Sequence, residues 1–99
     1  MIDLLSKIYI DLNELVIRKV PHDKEILSTR IIKEHTKICE YCFNIKSSNK
    51  DKNYMLEFKV SIKYILFILN YFVSKKIINN DVYKIIEKEY KDLYYIINP

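Results

Sequence analysis

The feature that most restricts the fold of this chain is the complete absence of glycine from its 99 residues. Glycine is the residue that adopts positive φ most readily, so tight two-residue hairpins and phosphate-cradling loops depend on it. Walker, dinucleotide-binding and nucleophile-elbow motifs are therefore excluded by composition. Because the chain also lacks runs of alternating polar and apolar residues, helices are the expected regular structure.

A chain of this length supports one hydrophobic core, and we expect a single domain over residues 1–99. The N-terminal turns carry acidic and basic residues, so they do not resemble a secretory signal, and a cytoplasmic protein is expected. The most apolar run, residues 64–73, is about half the length of a membrane-spanning helix. We therefore expect it to form a buried helix and predict no membrane partner.

Apolar residues recur at helical spacing in the first half of the chain. The first helix is predicted from Ile2 to Val16 and is ended by Val20-Pro21, because proline disfavours helical dihedrals in the residue before it. A second helix is predicted over residues 23–46, with Asp23 as its cap. The predicted inward residues are Ile2, Leu5, Ile8, Tyr9, Leu12, Leu15 and Val16, then Leu27, Ile31, His35, Ile38, Cys42 and Ile45.

The second half of the chain repeats this arrangement after a polar stretch. Residues 47–53 contain no apolar residue and are predicted to form the longest loop. A third helix is predicted over residues 54–75, and Asn79-Asn80-Asp81 is predicted to supply cap residues and an acidic first turn for a fourth. The predicted inward residues are Phe58, Ile62, Ile65, Leu69 and Phe72, then Val82, Ile86, Tyr90, Leu93 and Ile97. Four amphipathic helices with short joints predict an all-α, antiparallel up-down-up-down four-helix bundle.

The second half of the third helix is apolar on more faces than one core can cover. Tyr64, Phe67, Ile68 and Tyr71 lie outside the main inward seam. We therefore predict that these four residues form an interface between subunits of a homo-oligomer. The alternative is that long tyrosine rings lie partly exposed along the surface of a monomer.

One group of residues has the spacing of a metal or redox site. His35, Cys39 and Cys42 lie at i, i+4 and i+7, on one face of the second helix. The cysteines are late in that helix, where no helix N-terminus lowers the thiol pKa. Structural zinc normally needs a fourth ligand, and His22 is too far along a straight helix to supply it. We interpret the three residues as core and expect no metal and no cofactor.

No motif for catalysis accompanies them. The two histidines have no serine or cysteine partner in a recognised motif, and most carboxylates lie one helical turn from a lysine, as solvated ion pairs do. We therefore expect no enzymatic activity and no small-molecule substrate.

The net charge of +4, from 17 Lys and Arg against 13 Asp and Glu, favours a polyanionic partner. Only two of the cations are arginines, so contacts with a nucleic acid are expected on its phosphate backbone. Two basic stripes are predicted, one on the second helix and one on the fourth, formed by Arg30, Lys33 and Lys37 and by Lys84, Lys88 and Lys91. The alternative is that genome composition sets the lysine excess and that each stripe is an ordinary solvated face.

Four segments resemble parts of a known family: Val20-Pro21, Leu27–Ile31, Tyr54–Phe58 and Ile77–Tyr83. The layout of residues 12–97 resembles small bacterial four-helix bundles that include the proteins of ribosomal RNA intervening sequences and the accessory variability determinant of diversity-generating retroelements. The intervening-sequence branch ends its second helix with a longer run, of which only Asn44-Ile45 is present. The accessory branch fits better.

This resemblance implies a ring-shaped homo-oligomer, a pentamer, that binds RNA and DNA together with a reverse transcriptase and catalyses nothing itself. Under this interpretation, helical spacing selects six residues for phosphate contacts: Arg30, Lys33, Lys37, Lys59, Lys63 and Arg18. The alternative function is a structural or protein-interaction bundle of the intervening-sequence type that binds no nucleic acid.

Overall fold

The computed structural model describes residues 1–44 and 52–98 and contains four α-helices within them. They are α1 (Ile2–Arg18), α2 (Glu25–Asn44), α3 (Lys52–Ser74) and α4 (Asn80–Ile97). No strand is present in the described ranges. The predictions of an all-α fold and of four helices are confirmed. None of the helices in these ranges is both long enough and apolar enough to cross a bilayer.

The joint between α1 and α2 contains a short turn that was not predicted. Pro21 is extended, with φ −62° and ψ 153°, and residues His22–Lys24 form a short 3-10 turn directly after it. The Lys24 amide donates to the Pro21 carbonyl at 3.0 Å. The prediction that Asp23 caps the second helix is therefore wrong, because the chain already turns at His22 and Asp23 lies inside that turn.

The predicted loop after α2 is described only in part. Ile45, an expected core residue, and residues 46–51 lie outside the described residues. Lys52 and Asn53 were expected in the loop but belong to α3. Polar residues suit a first helical turn, where backbone N–H groups have no partner within the helix, so polarity alone could not distinguish loop from helix.

The end of α3 shows how the chain turns without glycine. Lys76 has φ 59°, the left-handed conformation that normally favours glycine. The Ile77 amide donates to the Phe72 carbonyl at 2.9 Å and the Lys76 amide to the Val73 carbonyl at 3.0 Å. These two bonds form a Schellman motif, which satisfies carbonyls at the helix C-terminus. Lysine therefore takes the position at which most such motifs have glycine.

The start of α4 matches its prediction. Asn79 is extended, with φ −87° and ψ 165°, and its side-chain oxygen accepts a hydrogen bond from the Val82 amide at 2.9 Å. Capping of this kind satisfies one of the free N–H groups of the first turn. Asn79 is thus confirmed as the cap, and the acidic Asp81 follows in the first turn.

The four helices pack as a closed ring of neighbours. Helix α1 packs against α2 and α4, and α3 packs against the same two helices, with α2–α3 the most extensive contact. Helices α1 and α3 therefore lie on opposite sides of the bundle. The core consists of buried apolar residues from all four helices and from the α3–α4 joint: Leu5, Ile8, Leu12, Leu15, Ile31, Ile38, Tyr41, Cys42, Phe58, Ile65, Ile68, Leu69, Phe72, Ile78, Ile86, Tyr90 and Leu93.

Three predicted placements are corrected by this packing. Ile2 and Tyr9, expected inward, are 63% and 44% exposed, because the buried stripe of α1 is centred one position away. Ile68, expected at a subunit interface, is 2% exposed and lies in the core. It is three and four residues from two other core positions of α3, so it shares their face of the helix.

His35 of α2 connects three helices inside the core. Its Nε2 lies 3.1 Å from the Leu5 carbonyl of α1, and its Nδ1 lies 2.7 Å from the Tyr90 hydroxyl of α4. Because a carbonyl only accepts, Nε2–H donates to Leu5, and in the neutral ring Nδ1 accepts from Tyr90. Burial lowers the pKa of His35 and raises that of Tyr90, so both groups are held neutral.

The left-handed lysine generates a stability prediction. Lys76→Gly should increase the free energy of unfolding by about 1 kcal/mol, because glycine adopts positive φ without the steric cost that a Cβ imposes. Urea denaturation followed by circular dichroism measures the change. The matched control is Lys75→Gly, one residue earlier at a position that does not have positive φ, which should destabilise the protein. A loss of stability in Lys76→Gly would contradict the proposed cost.

Candidate nucleic-acid interface

Two residues of the predicted α2 stripe are bound to an internal carboxylate. Glu34 is 4% exposed. Its Oε1 accepts from Arg30 Nε at 3.0 Å and from Lys37 Nζ at 3.4 Å. The guanidinium of Arg30 also lies 4.6 Å from the ring centre of Tyr64 on α3. These side chains therefore join α2 to α3.

The pKa of the Glu34 carboxyl depends on the groups around it. Burial alone would raise the pKa of this carboxyl, but a hydrogen bond with Ser61 of α3 and the Lys37 and Arg30 cations outweigh burial and lower its pKa. A buried carboxylate is stable only when it is paired in this way. Arg30 and Lys37 thus neutralise an internal charge, and the predicted phosphate contacts would compete with these ion pairs.

Two other predicted phosphate contacts, Lys33 and Arg18, do not pair with Glu34. Lys33 is exposed and forms no ion pair with any residue in the described ranges. Arg18, at the end of α1, pairs with Glu14 at 2.7 Å, and both side chains are exposed. No ion pair or hydrogen bond in the described ranges joins Arg18 to the α2 stripe. Their roles in phosphate binding stay predictions.

Lys59 and Lys63 lie in a groove between α3 and α4, which we call the α3–α4 groove. The groove has a volume of about 430 Å³. Apart from the buried Tyr90, its polar and aromatic lining comes from both helices: Lys59, Lys63, Glu87, Lys91, Tyr94 and Tyr95. Three lysines against one glutamate make the lining positively charged. This is the place in the described structure where predicted phosphate contacts from α3 meet basic and aromatic side chains of another helix.

The lysines of the groove differ in their partners. Lys59 Nζ lies 5.4 Å from the ring centre of Tyr94 and hydrogen-bonds its hydroxyl, which lowers the pKa of that phenol. Lys91 is 4.0 Å from Glu87, at the limit of an ion pair. Lys63 is exposed and makes no ion pair within residues 1–44 and 52–98. The groove therefore keeps most of its positive charge available to a ligand.

Two neighbouring tyrosines form the aromatic part of the groove. Their rings, Tyr94 and Tyr95, have centres 6.3 Å apart and meet edge to face at 70°. Tyr95 is 68% exposed. The Tyr94 hydroxyl also accepts a hydrogen bond from Asn98 at 3.0 Å, so this ring is held from two sides. Proteins that bind single-stranded nucleic acids combine exposed aromatic rings with cations in this way.

Sequence reasoning identified Lys59 and Lys63 but missed their partners in the groove. Lys91 was placed in the basic stripe of the fourth helix, and neither Tyr94 nor Tyr95 was selected as a site residue. A signal was available, since Lys59 and Lys63, and Lys91 and Tyr95, are each one helical turn apart. Recognising that these two pairs form one site required knowing which ends of α3 and α4 are adjacent in the bundle.

The His35, Cys39 and Cys42 group lies away from this groove. Both cysteines are free thiols, and burial raises the pKa of Cys42 to about 12 and also raises that of Cys39. The thiolate is the form that attacks electrophiles and binds metals. His22 is on the surface, 3.8 Å from Glu25. Across the described ranges no three His, Cys, Asp or Glu side chains are grouped to hold a metal ion.

A second exposed surface is apolar and lies on α3, where two of its residues, Leu56 and Val60, line a cleft between α3 and α2. Leu56, Val60 and Phe67 are 59%, 54% and 73% exposed, and they follow one another at helical spacing. We call them the α3 apolar face. Tyr64, at 39% exposed, and the partly buried Tyr71 flank it. Phe67, Tyr64 and Tyr71, three of the four predicted interface residues, therefore lie on or beside this face.

Helix α1 carries an apolar surface as well. Ile10 and Ile17 are 58% and 72% exposed, and they are two helical turns apart on the outer side of α1. We call them the α1 apolar face. Because α1 and α3 lie on opposite sides of the bundle, one protomer presents two separate apolar faces pointing in different directions.

The ion pairs of Glu34 lead to a test of what the α2 cations do. The double variant Arg30→Gln with Lys37→Gln should lose about 1 to 3 kcal/mol of unfolding free energy, because a buried carboxylate is left without its cations. Lys33→Gln, the matched single change on the same helix, should stay within about 0.5 kcal/mol of the parent. Thermal and urea denaturation measure both.

Adding Glu34→Gln to the double variant should recover much of the loss, because the charge that needed compensation is removed. A double variant as stable as the parent would show that these cations are not required by the fold and are available for a ligand.

Comparisons with known proteins give no counterpart for this chain. No protein-family model, curated protein or solved structure matches it. The resemblance to the retroelement accessory family therefore remains a hypothesis from the residue pattern, and the function has to be inferred from the chemistry of the α3–α4 groove and the two apolar faces.

Proposed function

We propose that this protein is a non-catalytic accessory protein that binds the phosphate backbone of RNA or DNA through the α3–α4 groove. The observation that carries the proposal is the meeting of Lys59, Lys63 and Lys91 from two helices beside the half-buried Tyr94 and the exposed Tyr95. Lysines neutralise phosphates as point charges, and their binding is largely independent of base sequence. No arginine lines the groove, so bidentate reading of guanine is not part of the proposal.

The groove replaces the α2 stripe as the centre of the proposed interface. Arg30 and Lys37 already compensate Glu34, and binding a phosphate there would leave a buried carboxylate less well paired. Lys33 remains a secondary contact, since its ammonium group is exposed. We rank Lys59 and Lys63 above the α2 cations as phosphate contacts. The groove that they line has one carboxylate side chain, Glu87, so little negative charge opposes a phosphate there.

We further propose the up-down-up-down arrangement and an oligomer. The Tyr41 and Phe58 rings, near the end of α2 and the start of α3, stack with centres 4.9 Å apart, while Lys24 lies 5.9 Å from the ring centre of Tyr71 near the end of α3. These two contacts support an antiparallel α2–α3 pair. Contact between the α3 apolar face of one copy and the α1 apolar face of the next would be head-to-tail, and it closes into a ring when the rotation permits.

The resemblance adds the remaining parts of this hypothesis: five subunits in the ring, a reverse transcriptase as the protein partner and a place in retroelement complementary-DNA synthesis in the cytoplasm. A positively charged ring would supply repeated grooves, and several weak backbone contacts would then act together.

The second candidate function is a protein-interaction bundle that binds no nucleic acid. The α3 apolar face favours it, because an exposed contiguous apolar surface is typical of an interaction site. The two candidate functions differ in the groove, which binds nucleic acid in the first and not in the second, whereas both use the α3 apolar face. Nucleic-acid binding at low salt therefore distinguishes them.

The groove proposal is tested by replacing its three lysines together. Lys59→Gln, Lys63→Gln and Lys91→Gln should weaken binding of a 20-nucleotide RNA by about tenfold or more at low salt, and the slope of log K against log salt should fall by about 2. Each phosphate that a lysine no longer neutralises keeps its condensed counterion, so binding releases fewer counterions and depends less on salt. Fluorescence anisotropy over a salt series measures affinity and slope.

The matched control is Lys19→Gln with Lys75→Gln and Lys84→Gln, which changes the net charge equally at exposed positions outside the groove. Its binding should fall much less. Equal losses in the two triple variants would show that net charge, and not the groove, determines binding, and no RNA binding by the parent would favour the protein-interaction bundle.

The head-to-tail contact is tested with two single variants. Phe67→Glu damages the α3 apolar face and Ile17→Glu damages the α1 apolar face, so each variant alone should be a monomer. Mixed together they should form a heterodimer and no larger species, because one intact copy of each face remains. Light scattering after size exclusion measures the masses. Asn70→Glu, on an exposed polar position of α3, is the control that should assemble like the parent.

A symmetric contact between two α3 faces predicts a different result. In that case Ile17→Glu alone would still associate, and mixing would add nothing.

A further inference from the structure

We infer that the α3–α4 groove takes single-stranded nucleic acid, with an unpaired base stacked on Tyr95; this inference rests on the proposed function. The groove places an aromatic ring that is 68% exposed directly beside the lysines that would hold the backbone. Stacking on such a ring is sequence-tolerant, because every base has a π-face.

The exposure of Tyr95 leaves its ring free to stack on a base. Its neighbour Tyr94 meets it edge to face, and Tyr94 is itself fixed by hydrogen bonds with Lys59 and Asn98. The T-shaped contact uses one part of the Tyr95 ring, and more than half of the side chain remains open to solvent. A ring supported in this way is ordered before the ligand arrives, which reduces the entropy lost on binding.

The three lysines can contact the phosphate backbone of a single strand or of a duplex, so Tyr95 determines which of the two binds more tightly. In a duplex each base is stacked on its neighbours and paired, so none is free to lie on a side chain. A duplex would therefore contact Lys59, Lys63 and Lys91 and leave Tyr95 unused. A single strand can satisfy the lysines and the ring together, and it should bind more tightly at equal salt.

The charge of the groove fits this ligand. Glu87 is the one carboxylate among the named lining residues, and it is engaged by Lys91 at 4.0 Å and by the Tyr83 hydroxyl at 3.3 Å. Its charge is thus directed toward protein groups. Lys59, over the Tyr94 ring, and Lys63, one turn further along α3, face the same groove as Tyr95. Phosphates and a base would meet complementary groups within one groove.

The test compares three 20-unit probes on the intact protein by fluorescence anisotropy at one low salt concentration. The probes are oligo(dT), a DNA duplex, and an abasic strand that has the same sugar-phosphate backbone without bases. The parent protein should bind oligo(dT) about 5- to 150-fold more tightly than the abasic strand, which is the range expected for stacking one base. The abasic comparison needs no variant, so it does not depend on whether a variant folds.

Tyr95→Ala should remove most of this difference, and Tyr95→Phe should keep it, because the ring is retained. The salt slope should be the same in both variants as in the parent, since no lysine is changed. Tyr9→Ala, which alters an exposed tyrosine of α1 outside the groove, is the matched control and should bind oligo(dT) like the parent.

The outcomes separate this inference from the function on which it rests. Equal binding of oligo(dT), duplex and abasic strand, with a loss only in the triple lysine variant, would overturn the stacking inference and leave backbone binding intact. Failure of every probe to bind would overturn the proposed function and the inference together. Loss of oligo(dT) preference in Tyr9→Ala as strongly as in Tyr95→Ala would also contradict the assignment to Tyr95.

Discussion

The buried hydrogen bonds of His35 are the constraint on which the arrangement of the bundle depends. The ring of His35 in α2 bonds the Leu5 carbonyl of α1 and the Tyr90 hydroxyl of α4, at 3.1 and 2.7 Å. An imidazole with no exposed surface loses its contacts with water, so either nitrogen left without a partner would cost free energy. Helices α1 and α4 must therefore hold fixed positions relative to α2, whereas apolar contacts alone tolerate some sliding.

The same hydrogen bonds position the candidate interface. Tyr90 points inward to reach His35, and Tyr94 lies one turn later on α4, where its ring contacts Lys59 of α3. Fixing the rotation of α4 at Tyr90 thus directs Lys91, Tyr94 and Tyr95 to the side on which α3 lies. The groove is a consequence of core geometry, although none of the groove's lysines is buried. Function on this bundle would depend on a buried polar contact of Tyr90, whose side chain also lines the groove.

Much of the fold could be predicted from the sequence, because local physics determines it. Helical periodicity and the Asn79 cap located the helices, and the lack of glycine excluded hairpin turns. The failures occurred where local signals are ambiguous. Ile68 was assigned to a subunit interface because α3 is apolar on several faces, and only the packing of neighbouring helices shows which face is buried. Lys76 could not be identified, since no rule selects a lysine for a left-handed position.

The sequence by itself determined the all-α class, the number of helices and the placement of His35 in a seam, because periodicity, capping and composition act over a few residues. Only the tertiary structure decided which cations are free. Arg30, Glu34 and Lys37 have the spacing of ordinary solvated ion pairs, and burial of the carboxylate against Ser61 of α3 makes the two cations the partners of a buried charge. Lys59, Lys63 and Lys91 became one groove because α3 packs beside α4. The physical reason is that burial and the meeting of distant side chains depend on how helices pack, which spacing along one helix does not specify.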